Sequence, residues 1–126
     1  MKRYRTLFFL AALYNFAVAL GAFAFHGRIF PLLGMEIPEN PMWFQLFLGA
    51  VFVFGVGYYW VGRDPEGNRG LAALGVVGKV LVFLVLSIYF WAEEIPAAIW
   101  LLGVGDAIFA ALFLEFLLQK NLDAEG

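Results

Sequence analysis

The sequence predicts an all-α protein, an antiparallel bundle of four transmembrane helices, and three observations carry that prediction. Of 126 residues, 63% are hydrophobic and only 14% are charged, a balance far outside the soluble globular range. Apolar runs of roughly 20 residues, the length a helix needs to cross a hydrocarbon core, occur four times. The charges fall in short clusters between these runs rather than along amphipathic faces. Hydrophobicity within each run is continuous, without the period-2 alternation of a membrane β-strand, so helices are the spanning element. A single integral membrane domain covers residues 1–126.

The first span runs from about Leu7 to Phe25. Lys2, Arg3 and Arg5 precede it and Ala22-Phe23-Ala24 follows, a layout that imitates a secretory signal with its cleavage site. The apolar run exceeds the usual signal core, so it reads as a membrane span. The segment from His26 to Pro41 carries Pro31, Pro38 and Pro41 among apolar residues, and is expected to be a loop that lies on the membrane surface or caps the bundle. The second span covers Met42 to Val61 and the third Leu71 to Trp91. Between them, residues 62–70 are dense in turn formers, which makes these spans an antiparallel hairpin. A shorter turn around Glu93, Glu94 and Ile95 leads into the fourth span, Pro96 to Leu118.

Lys2, Arg3, Arg5, Arg63, Arg69 and Lys120 would share one side of the membrane, with Arg28 alone in a loop on the other. The positive-inside rule therefore puts both termini in the cytoplasm. Trp43, Trp91 and Trp100 mark the outer interface in this frame, and Tyr4, Tyr58, Tyr59 and Trp60 the inner one.

Lys79 and Asp106 are the informative residues, because a charge near the centre of a membrane helix costs roughly 2.5–3.5 kcal/mol. At about 1.5 Å per residue, Lys79 lies about 12 Å and Asp106 about 18 Å from the cytoplasmic ends of their helices. A lysine stem bridges that difference if the third and fourth spans are neighbours. Asn15 falls at a similar depth on a face with Ala11, Ala12, Val18, Ala19 and Ala22, while Gly75 and Gly78 flank Lys79 and Gly103 and Gly105 flank Asp106. Small residues beside polar ones predict a tightly packed interior that holds Asn15, Lys79 and Asp106 together. Such a cluster serves as a proton or ion relay, as a polar anchor for a ligand, or as an ion pair fixing helix register. A four-helix monomer is expected to enclose little volume, which favours the last of these.

Glu115 is expected near the cytoplasmic interface on the opposite face of its helix from Asp106, reaching water, pairing with Lys120 or contacting another subunit. Tyr58 and Tyr59, with Trp60, read as an aromatic belt or as contacts for a bound lipid or quinone ring; Tyr14 and Tyr89 read likewise. Cysteine is absent and His26 is the single histidine, which removes thiolate chemistry and multi-histidine metal centres. His26 with Glu93 and Glu94 has no ligand spacing to recommend it as a metal site. Gly75-x-x-Gly78-Lys79 is no phosphate loop, since Val80 stands where Ser or Thr is required and the segment lies in lipid. No catalytic motif appears, and no basic stripe that could read nucleic acid.

Gly57-Tyr58, Asp64-Pro65 with Asn68-Arg69, Gly75-x-x-Gly78-Lys79 and Gly105-Asp106 with Phe109 and Phe113 follow one another along the chain. This succession resembles a group of small bacterial four-helix inner-membrane proteins to which no activity is assigned. The resemblance runs from about the second span onward and implies a bacterial inner membrane setting without a mechanism.

The expected role is that of a non-enzymatic membrane protein without cofactor or metal, an accessory or structural subunit that contacts partner helices or an apolar ligand such as a lipid. Association with further copies or with other membrane subunits is expected, because the apolar surface exceeds what one core can bury. The competing expectation is a small oligomeric transporter or channel that works through Lys79 and Asp106.

Overall fold

The computed structural model describes residues 2–119. Among them the architecture is all-helical: α1 (Lys2–Leu32), α2 (Met42–Arg63), α3 (Arg69–Trp91) and α4 (Ala97–Leu118), with a 3-10 turn at Glu66–Asn68. All four helices are long and apolar enough to cross a membrane. At about 1.5 Å per residue, the 22 residues of α2 or α4 extend about 33 Å, close to the hydrocarbon thickness of a bilayer. The bundle is built from two antiparallel hairpins, α1–α2 and α3–α4, each closely packed within itself and much more sparsely joined to the other.

The hairpins meet at the end of the bundle where α1 begins and α4 ends, termed here the terminal end. Phe8 stacks on Phe113 with ring centroids 4.4 Å apart and meets Phe116 edge-on at 5.4 Å. Tyr58 meets Phe113 at 5.1 Å and Tyr4 meets Phe116 at 5.1 Å, while buried Val61 and Ala72 fill the remaining space. Between membrane helices there is no hydrophobic drive to associate, so interdigitated rings and small residues supply cohesion through dispersion contacts.

Polar ties reinforce this end. Arg3 Nη2 and Tyr4 Oη both donate to Glu115 Oε1, at 2.8 and 3.1 Å, which fastens the start of α1 to α4. Arg69 Nη2 donates to the carbonyls of Leu117 and Gln119, at 2.6 and 3.0 Å, and so satisfies acceptors that every helix leaves open at its C-terminus. In the connecting turn, Asn68 Nδ2 donates to the carbonyls of Trp60 and Asp64, and Asp64 Oδ1 accepts from the Gly67 amide. A Cβ on Gly67 would overlap the Asp64 carboxylate, so a larger residue there would push that side chain out of its present position.

Three expectations about the elements change. His26 does not begin a loop: α1 continues to Leu32 and includes Pro31. In the last turn, Pro31 forfeits only one intrahelical hydrogen bond, that to the Gly27 carbonyl, so the helix tolerates it. The stop comes from Gly34, whose φ of 75° lets the Met35 amide reach back to the Phe30 carbonyl at 2.8 Å and the Gly34 amide to Pro31 at 3.1 Å, the pairing of a Schellman cap. Tyr4 and Tyr58 are buried in the core rather than placed in an interfacial belt, with exposures of 4% and 2%. The tightly packed hydrophobic core joining the hairpins lies in the terminal half, rather than extending through the interior.

Candidate functional site

Asn15, Lys79 and Asp106 come from the middles of α1, α3 and α4 and meet where the packed half of the bundle ends. Lys79 Nζ donates to Asp106 Oδ1 at 2.7 Å and to Asn15 Oδ1 at 3.0 Å, with the lysine side chain 4% exposed. The Asn15 amide is oriented in turn, because its Nδ2 donates to the Val51 carbonyl of α2 at 3.0 Å. Gly55 permits that approach: a Cβ there would sit 2.8 Å from the Phe16 ring and 3.2 Å from Asn15 Cβ. One polar cluster therefore ties three helices directly and the fourth through a backbone carbonyl.

Aromatic rings surround the amine. Lys79 Nζ lies 5.1 Å from the Tyr58 centroid and 5.3 Å from those of Tyr14 and Phe109, within the range over which a ring face attracts a cation. Tyr14 is held in place by its hydroxyl, which donates to the Leu102 carbonyl at 2.6 Å. Gly105 makes room for it, since a Cβ at that position would fall 2.6 Å from Tyr14 Oη.

On the side of the cluster away from the terminal end, the hairpins border a partly open cavity of about 540 Å³. Its walls are apolar, with Phe47 and Leu48 from α2, Val82 and Leu86 from α3 and Ile99 from α4. Phe30 and Met35, the pair joined by the α1 cap, line it as well, together with Ile95 from the α3–α4 turn. Polar side chains enter at one end only, where Tyr14, Asn15, Tyr58, Lys79 and Asp106 form the floor. This volume corrects the expectation that so small a bundle encloses little space. The hairpins close on their aromatic core at one end, and the side chains that face each other beyond it do not fill the gap.

Of the two adjacent tyrosines, Tyr58 belongs to this site. Tyr59 is 43% exposed and packs against Phe9 with centroids 5.6 Å apart, away from the cavity. Glu115 is likewise separate, since it receives Arg3 and Tyr4; Lys120, its other expected partner, lies outside the described residues. His26 turns its Nδ1 to the Ala22 carbonyl at 3.0 Å and packs its ring on Phe30 and Phe44. Among the described residues no group of three or more His, Asp or Glu side chains is arranged to hold a metal ion.

Tyr14, expected in an aromatic belt or against a bound lipid, and Phe109, which entered only through the resemblance, were not expected beside Lys79. Tyr14 precedes Asn15, and Phe109 follows Asp106 by one helical turn, the spacing that brings side chains onto a shared face. That spacing was a usable signal. Compared with protein-family models, with characterised proteins and with solved structures, the chain matches none of them.

Proposed function

We propose that this protein is a non-enzymatic membrane protein that holds an apolar ligand, a lipid or lipid-like molecule, in the cavity between its two helix hairpins. The observation that carries this reading is the pairing of an apolar cavity of about 540 Å³ with a polar floor at one end. Ligand sites of small molecules have that form, in that volume range, with apolar walls and a few convergent polar groups that fix orientation. A register-fixing ion pair alone needs no cavity above it.

The reading extends to setting and assembly. The distribution of basic residues supports termini that face the cytoplasm, and the resemblance to small four-helix bacterial proteins supports an inner-membrane location. A shallow, largely apolar groove on α2 that includes Gln45, Gly49 and Ala50 supports contact with a second copy or another subunit, since small residues let membrane helices approach closely and a polar one can bond across them. A transporter or channel finds less support, because Tyr4, Phe8, Phe113 and Phe116 are buried in the half of the bundle that such a path would have to traverse.

Native mass spectrometry after extraction in mild detergent tests the reading. The wild type is expected to retain an apolar molecule at one per chain, and Val82→Trp, which puts an indole into the cavity, is expected to lose it while keeping its helical circular dichroism. Equal retention by both proteins, or none by either, would contradict the proposal.

A further inference from the structure

The floor of the cavity has hydrogen-bonding capacity that the protein does not use. Lys79 directs two of its three N–H bonds to Asp106 Oδ1 and Asn15 Oδ1. Among the described residues, Asp106 Oδ2 and Tyr58 Oη have no hydrogen-bond partner, and neither is occluded, because no fully occluded side-chain nitrogen or oxygen is left unsatisfied. Tyr58 is only 2% exposed, so what accessibility its hydroxyl has is toward the cavity it lines. One acceptor and one or more donors thus line the inner end of an apolar chamber.

Charge narrows the ligand. Lys79 and Asp106 sum to zero whichever of them holds the proton. A carboxylate or phosphate head would set a second anion beside Asp106, and an ammonium head would compete with Lys79 for it, in surroundings where an uncompensated charge is expensive. Access narrows it further. The floor sits near mid-helix behind apolar walls, so a head group must itself tolerate hydrocarbon to reach it. Along α4 the cavity lining runs from Asp106 to Ile99, about 10 Å at 1.5 Å per residue, and continues to Ile95 in the α3–α4 turn, a depth on the scale of one leaflet of the hydrocarbon core, about 15 Å.

We infer that the cavity takes a neutral, single-chain lipid whose only polar group is a hydroxyl, seated with that hydroxyl on Asp106 and Tyr58 and its chain toward the end formed by Phe30, Met35 and Ile95. A hydroxyl both donates and accepts, so it donates to Asp106 Oδ2 while accepting from Tyr58 Oη. The inference rests on the cavity being a ligand site, as proposed above, and adds the chemistry of the head group.

Photoreactive C16 probes with a diazirine near the chain end, incorporated into vesicles with the full-length protein, test it. Three heads are compared: hexadecanol, hexadecane and palmitate. Saturable labelling of residues that line the cavity is expected from the alcohol at lower concentration than from the alkane or the acid. Tyr58→Phe is expected to weaken the alcohol roughly fivefold, the worth of one neutral hydrogen bond, and to leave the alkane unchanged. Alkane and alcohol labelling equally, or palmitate labelling best, would overturn the hydroxyl inference while leaving the cavity a ligand site. Labelling of wild type by all three probes that neither saturates nor maps to the cavity would overturn both.

Discussion

Lys79 Nζ and Asp106 Oδ1 lie 2.7 Å apart at the boundary between the packed half of the bundle and the cavity. The pair has two neighbours of different kinds: aromatic rings that complete the core below it, and an apolar chamber above. Removal of one partner leaves the other without its counter-charge in surroundings of low dielectric, whereas removal of both leaves neither. Lys79→Met or Asp106→Leu alone is therefore expected to destabilise the fold by about 3 kcal/mol, and the double substitution by less than about 1 kcal/mol. Thermal unfolding of the four proteins in one detergent, read as a double-mutant cycle, checks this; additive losses would mean that the two residues stabilise the bundle independently.

At Gly75 α3 lies close against the aromatic core. A Cβ there would fall 2.7 Å from the Tyr58 ring and 3.1 Å from that of Phe113, both fully packed. Gly75→Ala is expected to cost about 1–3 kcal/mol through overpacking. Gly57→Ala, where nothing lies within 4 Å of the added carbon, is the control and is expected to be neutral or slightly stabilising, since alanine favours the helix by about 1 kcal/mol. Parallel melts distinguish the two positions.

Glu93 ends α3 with a φ of 61°, and the Glu94 amide reaches back to the Tyr89 carbonyl at 2.9 Å. This is the same cap that Gly34 makes for α1, built with a residue whose Cβ disfavours it. Glu93→Gly is expected to raise stability by about 0.5–1 kcal/mol and Glu93→Val to lower it, both read from the melting temperature.

Arg69 holds the last carbonyls of α4 from the start of α3. Arg69→Met is expected to speed amide hydrogen exchange across 114–119 and to cost about 1.5–3 kcal/mol, the range for hydrogen bonds made by a charged group. Arg69→Lys is expected to recover only part of this, because one ammonium does not reproduce the guanidinium fork. Full rescue by lysine would mean that charge alone matters at this position.

The helices and their antiparallel order were legible because the hydrocarbon core imposes one length on every span. Asn15, Lys79 and Asp106 could be grouped from depth along their helices, and the structure brings them within hydrogen-bond distance. What depends on rotation about a helix axis was not legible: Tyr58 and Tyr59 are neighbours in sequence, yet one lines the cavity and the other packs outside it. The extension of α1 past His26 was obscured by Pro31, although Gly34 followed by Met35 carried the stop signal of an α1 cap. The cavity depends on how two hairpins lean on a shared core, and no local pattern encodes that. The link from Arg3 to Glu115 joins opposite ends of the chain and was hidden for the same reason.

An experimental density map of the protein in lipid nanodiscs decides between an occupied cavity and a solid bundle. Elongated density is expected between the hairpins, running from Asp106 and Tyr58 toward Phe30, Met35 and Ile95. Hairpins closed on each other, with Leu48, Val82 and Leu86 in mutual contact where the cavity now lies, would contradict it and leave Lys79 and Asp106 as a fastening within a solid bundle.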